Sequence, residues 1–220
     1  MFPRKINIKS ATLFTLIVAV LFLAAVMMFA YITHEIVFEK EEAFDQRAFE
    51  VFTKISTPLI IEISKVLAFL GSPYFFIPAY CVIIGWLVFE KRRVEALHVF
   101  IIAVTSTILL HSLKAIFGRQ RPHLPLFDEL DNYSFPSGHA LSSFIFSAVL
   151  IRLIWLGNWS RSIKISICIL LVLWSLCVGI SRIILRYHFA SDVLAGFLVG
   201  FAWAILSFFV QNRITKRSPV

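Results

Sequence analysis

SRIILRYHFASD, residues 181–192, lies between two apolar runs, 163–182 and 193–211, and its reading decides the fold. An arginine, a histidine and an aspartate so close together would be ordinary on a soluble surface. Between runs of roughly 17–22 apolar residues, long enough to cross a bilayer, each is costly and is read first as functional. Two other charged stretches share this setting: KAIFGRQRP, residues 114–122, follows an apolar run, and PSGH, residues 136–139, precedes one.

The composition agrees with a membrane location. Of the 220 residues 59% are hydrophobic and 15% charged, against roughly 45–50% and 25% for a soluble domain. The expectation is one integral membrane domain, residues 1–220, with a signature-bearing core at 114–192. The net charge of +8 sits in short clusters and forms no continuous basic stripe, so nucleic acid is not an expected partner. Cys81, Cys168 and Cys177 show no metal or redox spacing and read as small buried hydrophobes.

Six segments have the length to span a bilayer: about 11–32, 73–90, 95–113, 139–156, 163–182 and 193–211. The first follows Arg4, Lys5 and Lys9, as in a signal peptide, but it is too long and no small-residue cleavage site follows; an uncleaved span is expected. Basic clusters recur at every second boundary: Arg4/Lys5/Lys9, Lys91-Arg92-Arg93, Arg161/Lys164 and Arg213/Lys216/Lys217. By the positive-inside rule both termini are cytoplasmic, with Trp86, Trp155 and Trp159 near the inner ends. The three charged stretches then fall on the outer face.

Between the first two spans, Phe44, Ala48, Val51, Phe52, Ile55 and Leu59 recur at helical steps opposite Glu41, Glu42, Asp45, Arg47, Glu50 and Lys54. An amphipathic helix on the outer surface is expected. A second stripe, Leu59, Ile63, Val66, Leu67 and Leu70, ends at Gly71-Ser72-Pro73, with Pro58 separating the two helices. The fold class is thus all-α, a six-transmembrane-helix bundle with amphipathic helices on the outer face.

The chemistry follows from the residue types. His188 and Asp192 are four apart, so in a helical segment the carboxylate accepts from Nδ1 and leaves Nε2 as a base or nucleophile. Lys114 and Arg121 are seven apart, about two helical turns, and face one point before Pro122 breaks the helix. With Arg182 they suit the charge that spreads over a phosphoryl group in transfer. At Pro136-Ser137-Gly138-His139 a helix start offers free N–H groups, a glycine that admits close approach, a hydroxyl and an imidazole. A Ser cap with a nearby Pro would explain Pro136 and Ser137 but not His139.

Together KAIFGRQRP, PSGH and SRIILRYHFASD resemble, in order and without departure at any signature position, the type 2 phosphatidic acid phosphatases. That family is the membrane branch of a superfamily that includes vanadium-dependent haloperoxidases and bacterial acid phosphatases. The resemblance covers about residues 60–211. It implies that His188 attacks phosphorus to form a phosphohistidine, that Asp192 orients it, and that His139 protonates the leaving oxygen and then activates water. It implies that Lys114, Arg121, Ser137, Gly138 and Arg182 hold the phosphate oxygens. Members of this kind need no metal or other cofactor, and the sequence offers no carboxylate cluster for Mg²⁺.

The expected activity is hydrolysis of the terminal phosphate of a membrane lipid, with water as acceptor. Undecaprenyl diphosphate, phosphatidylglycerophosphate and phosphatidic acid are the candidate substrates. A lipid-diphosphate-dependent phosphotransferase would use the same residues. A non-catalytic head-group binder or translocator would leave His139, His188 and Asp192 without a purpose.

Overall fold

The computed structural model describes residues 8–122, 126 and 132–217; Arg4, Lys5 and His123 lie outside the described residues. Among the described residues every regular element is helical. Helix α1 (Ile8–Thr33) passes into a π-helical turn, His34–Phe38, and is followed by α2 (Ala43–Ile55) and α3 (Pro58–Leu70). The remaining helices are α4 (Pro73–Phe89), α5 (Arg93–Phe117), α6 (Gly138–Leu156), α7 (Arg161–Ile184) and α8 (Ala190–Arg217). Five segments are long and apolar enough to cross a membrane, in α1, α5, α6, α7 and α8. The sixth expected span, α4, has 17 residues and continues α3 across a 45° bend.

Local chemistry sets these boundaries. Thr57 and Ser160 cap α3 and α7 by accepting from the Ile60 and Ile163 N–H groups, at 3.4 Å each, which satisfies donors that a helix start leaves open. Pro58 and Pro73 occupy first-turn positions where the missing N–H is harmless.

Helix α6 is central, packing on α5, α7 and α8. Leu141, Ile145 and Val149 of α6 meet Val99, Ile102 and Leu110 of α5, Leu87 of α4 and Val199 of α8 in the main core. Close approach of α8 depends on small residues, as is usual where lipid supplies no hydrophobic drive between helices. A Cβ on Gly196 would lie 2.6 Å from the Ser137 carbonyl oxygen. Two smaller clusters lie beside the α7–α8 connection. One joins Ala140, Ile183, Ala190 and Val193 to Ala48, Phe49 and Phe52 of α2; the other joins Leu185 and Tyr187 to Ala68 and Ile61 of α3.

The expected apolar stripes of α2 and α3 do not face the bundle as a whole. On α2 the inward residues are Asp45, Ala48, Phe49 and Phe52, while Phe44, Val51 and Ile55 are exposed. On α3 Ser64 and Ala68 are buried, and Leu59, Ile63 and Val66 point outward. The physical reason is the solvent: large apolar side chains are at home against hydrocarbon, so small and polar faces take the contacts between helices. For the same reason Cys81 and Cys177 are exposed on helix surfaces, contrary to the buried placement expected of them.

Candidate active site

Helix α5 ends earlier than the expected break at Pro122. Gly118 takes a left-handed conformation (φ 59°) as its C-cap, with its N–H on the Lys114 carbonyl at 3.0 Å. A residue without Cβ is the natural choice at such a cap. Arg119 to Pro122 therefore leave the helix, so Lys114 and Arg121 meet the site from a helix end and a loop and not from one helical face.

His188 lies just before α8 and Asp192 in its first turn, so their pairing is made across a helix start. The Asp192 carboxylate is fully buried and His188 2% exposed. Oδ2 of Asp192 lies 3.4 Å from Nδ1 of His188, the long end of a hydrogen bond. The same oxygen accepts from the Phe189 N–H at 2.9 Å and from the Ser134 hydroxyl. A carboxylate only accepts, so Nδ1 carries the hydrogen and Nε2 presents a lone pair. Nε2 lies 3.4 Å from Nη1 of Arg121, which can only donate. Burial, then Arg121, Arg182 and Lys114, hold His188 well below the ordinary imidazole range. The ring is neutral at neutral pH.

Three cations surround this imidazole. Arg121 donates to the Tyr187 carbonyl and, through Nε at 2.8 Å, to the Asn132 carbonyl; burial draws its pKa down, with Asp192 partly restoring it. Lys114 donates to the Tyr133 carbonyl. Arg182 is 4% exposed, stacks its guanidinium 4.3 Å from the Tyr187 ring centroid and leaves its buried Nε without a hydrogen-bond partner. Tyr187 is thus part of the site wall.

At the start of α6, Ser137 is fully buried; its N–H donates to the Asp192 carbonyl at 2.9 Å and its hydroxyl oxygen caps the Ala140 N–H at 3.5 Å. That cap leaves the hydroxyl hydrogen unengaged. Gly138 opens the helix, where a Cβ would come within 3.0 Å of Leu110. His139 points Nε2 at the Ala68 carbonyl, 3.1 Å away. Nε2 carries that hydrogen, so Nδ1 is the atom free to exchange a proton.

All eight residues singled out in the sequence therefore border one buried region at one end of the bundle. Sequence reasoning missed others in the same region. Arg119 bridges Asp192 Oδ1 (2.6 Å) and Asp45 Oδ2 (2.8 Å), and Ser134, Asn132 and the Ala68 carbonyl complete the polar shell. Arg119 lies inside KAIFGRQRP, so its charge beside a glycine was a signal. Asp45 was hidden among the carboxylates of an amphipathic helix.

A helical bundle that buries a His–Asp pair beside three cations at the ends of apolar spans defines a multi-pass membrane enzyme acting on a phosphate group. Residues 95–216 match the PAP2 superfamily. The chain belongs to that family, and within it to the lipid phosphatases. It is 30% identical over 203 residues to phosphatidylglycerophosphatase B of Bacillus subtilis, covering 90% of this chain and 94% of that protein. Identity to the undecaprenyl-diphosphatase of Sulfolobus acidocaldarius is 26%, covering 78% and 80% of the two chains. The fold superposes on the crystal structure of the transmembrane PAP2-type phosphatidylglycerolphosphate phosphatase from Bacillus subtilis with a TM-score of 0.80, over 88% of this chain and 96% of that one, at 23% identity.

Proposed function

We propose that the protein hydrolyses the terminal phosphate of a lipid phosphate or diphosphate through a phosphohistidine, without a metal ion. The observation that carries the reading is the neutral His188, its Nδ1 held by Asp192 and its Nε2 turned toward Arg121. In the first step the Nε2 lone pair forms a bond to phosphorus while the bond to the leaving oxygen breaks, and that oxygen takes the Nδ1 proton of a His139 imidazolium, formed against the bound phosphate anion, while Nε2–H stays on the Ala68 carbonyl. In the second step His139 removes a proton from water, the water oxygen bonds to phosphorus and the P–N bond breaks. Lys114, Arg121 and Arg182 balance the charge on the equatorial oxygens, aided by the Ser137 hydroxyl and the amide at Gly138. Arg182, buried with an unpaired N–H, supports this role because an anion would supply the missing acceptor.

The substrate class rests on the relatives and on the surface around the site. Their names include a phosphatidylglycerophosphatase and an undecaprenyl-diphosphatase, and exposed apolar side chains cover the outward faces of α1, α4 and α7, where lipid tails can lie. The reading puts the site on the outer side of the membrane with both termini in the cytoplasm. It is supported by the Lys91-Arg92-Arg93 and Arg161/Lys164 clusters at the helix ends remote from His188.

The test is phosphate release by the purified protein in EDTA from undecaprenyl diphosphate, phosphatidylglycerophosphate and phosphatidic acid, with His188→Ala as the blank. Release above the blank, with an acid-labile labelled enzyme trapped on rapid quenching, is expected. Release by the His188→Ala protein at the parent rate would refute the nucleophile assignment.

A further inference from the structure

The short helix α2 reaches the nucleophile through buried charge. Asp45, 1% exposed, accepts from the Ser191 N–H (2.8 Å) and the Ser191 hydroxyl (2.6 Å) at the start of α8, and from Nη2 of Arg119 at 2.8 Å. Nη1 of Arg119 continues to Ser191 Oγ (2.8 Å) and to Asp192 Oδ1 (2.6 Å). Phe189 lies under the guanidinium, its centroid 3.9 Å from Cζ, and Phe49 of α2 packs on Phe189 at 5.6 Å. A charged chain Asp45, Arg119, Asp192 therefore ends on the carboxylate that faces His188, and nothing in the phosphoryl-transfer chemistry itself requires its first member.

We propose that Asp45 is a positioning residue for the nucleophile, acting through Arg119 on Asp192; this rests on the reading of His188 as the attacking group. Two effects combine. Geometrically, Asp45 fixes Arg119, and Arg119 holds Oδ1 of Asp192 so that Oδ2 meets Nδ1 of His188. Electrostatically, one guanidinium shared by two carboxylates leaves the group with a net negative charge. That charge opposes the positive charge His188 acquires as Nε2 bonds to phosphorus. With Asp45 neutral, Arg119 would cancel Asp192, and the developing imidazolium would face Arg121, Arg182 and Lys114 unopposed. Removing the outer partners that orient metal-ligating histidines and carboxylates costs about 10–100-fold in activity, and an effect of that order is expected one step from the His188–Asp192 pair.

The experiment uses the full chain and a lipid phosphate that the parent enzyme hydrolyses. Asp45→Asn is compared with Asp45→Glu, with Glu50→Gln as a control on the exposed face of the same helix, and with His188→Ala. Besides kcat and KM, inhibition by orthovanadate, which bonds to the nucleophile, is read against inhibition by inorganic phosphate, which reads the cationic cradle. Asp45→Asn should lower kcat by about 10–100-fold and weaken vanadate inhibition by a similar factor, with KM and phosphate inhibition unchanged. Asp45→Glu should recover most of kcat, and Glu50→Gln should match the parent. Should Asp45→Asn not fold, the same split is required of Arg119→Lys, which keeps a charge but cannot hold both carboxylates.

Unchanged kcat in Asp45→Asn, or a joint fall of kcat, phosphate affinity and thermal stability, would overturn the proposal. An active His188→Ala protein would instead remove the nucleophile assignment on which it stands. An inactive His188→Ala protein beside a fully active Asp45→Asn protein would reject this proposal alone.

Discussion

The Ala68 carbonyl accepts a hydrogen bond from Nε2 of His139 at 3.1 Å, so a backbone group at the end of α3 sets the tautomer of the histidine at the start of α6. In the proposed mechanism the proton then moves at Nδ1, and the consequence depends on the leaving group. An alkoxide needs its proton far more than a lipid monophosphate does. A general acid commonly contributes about 10²–10⁴-fold. His139→Ala should lose rate in that range on phosphatidic acid and distinctly less on undecaprenyl diphosphate, measured as kcat/KM on both lipids. Equal losses would give His139 another role.

Gly71 permits the contact between α3 and His139. A Cβ there would collide with Val178 Cγ1 and lie 2.9 Å from His139 Cδ2. Gly71→Ala should push α3 from the bundle, lowering stability by about 1–3 kcal/mol and weakening general-acid chemistry. Thermal unfolding and the monoester-to-diphosphate rate ratio together check this, because the ratio should move toward that of His139→Ala.

Arg182 carries a buried charge with no carboxylate partner among the described residues. A buried ion without compensation is a burden on the fold, and replacing it by an apolar side chain of similar volume is often stabilising. Arg182→Met is expected to raise the melting temperature while reducing kcat/KM by about 10²–10³-fold, the scale of losing one charge-stabilising donor. A variant that loses both stability and activity would contradict this.

The depressed His188 pKa gives stability a defined pH dependence. Below about 6.5, the ordinary imidazole value, the unfolded chain binds a proton that the native ring refuses. Stability is therefore intact above that pH and falls as pH drops toward the native pKa, by up to about 1.4 kcal/mol per pH unit. His188→Asn removes this linkage. Its stability relative to the parent should improve as pH falls below about 6.5, read from denaturation at several pH values. A constant gap would rule out a neutral buried His188.

Much of this site is legible in the sequence because a bilayer penalises any charge that serves no purpose. Lys114, His139 and Arg182 stand out against apolar neighbours, and Pro136-Ser137 marks a helix start. Asp45 does not stand out. Six charged residues between 41 and 54 offer no local reason to select one for burial, and Asp45 is drawn inward by Arg119 and Ser191, groups 74 and 146 positions away in the chain. The inward face of α3 is hidden for a related reason. Hydrophobic periodicity locates a helix, but beside lipid it does not tell which side touches protein, and only the packing of Ser64 and Ala68 resolves it. Pro122 masks Gly118 because proline is the louder breaker, although a glycine after a lysine-bearing last turn is an equally good stop.

A site at the helix ends, walled by helices whose outward faces are apolar, meets its substrate in two dimensions. The concentration that governs turnover is then the mole fraction of lipid phosphate in the bilayer or micelle, not its amount per litre. Adding inert detergent at constant total substrate dilutes that surface and slows the enzyme, and affinities compare only at equal surface composition.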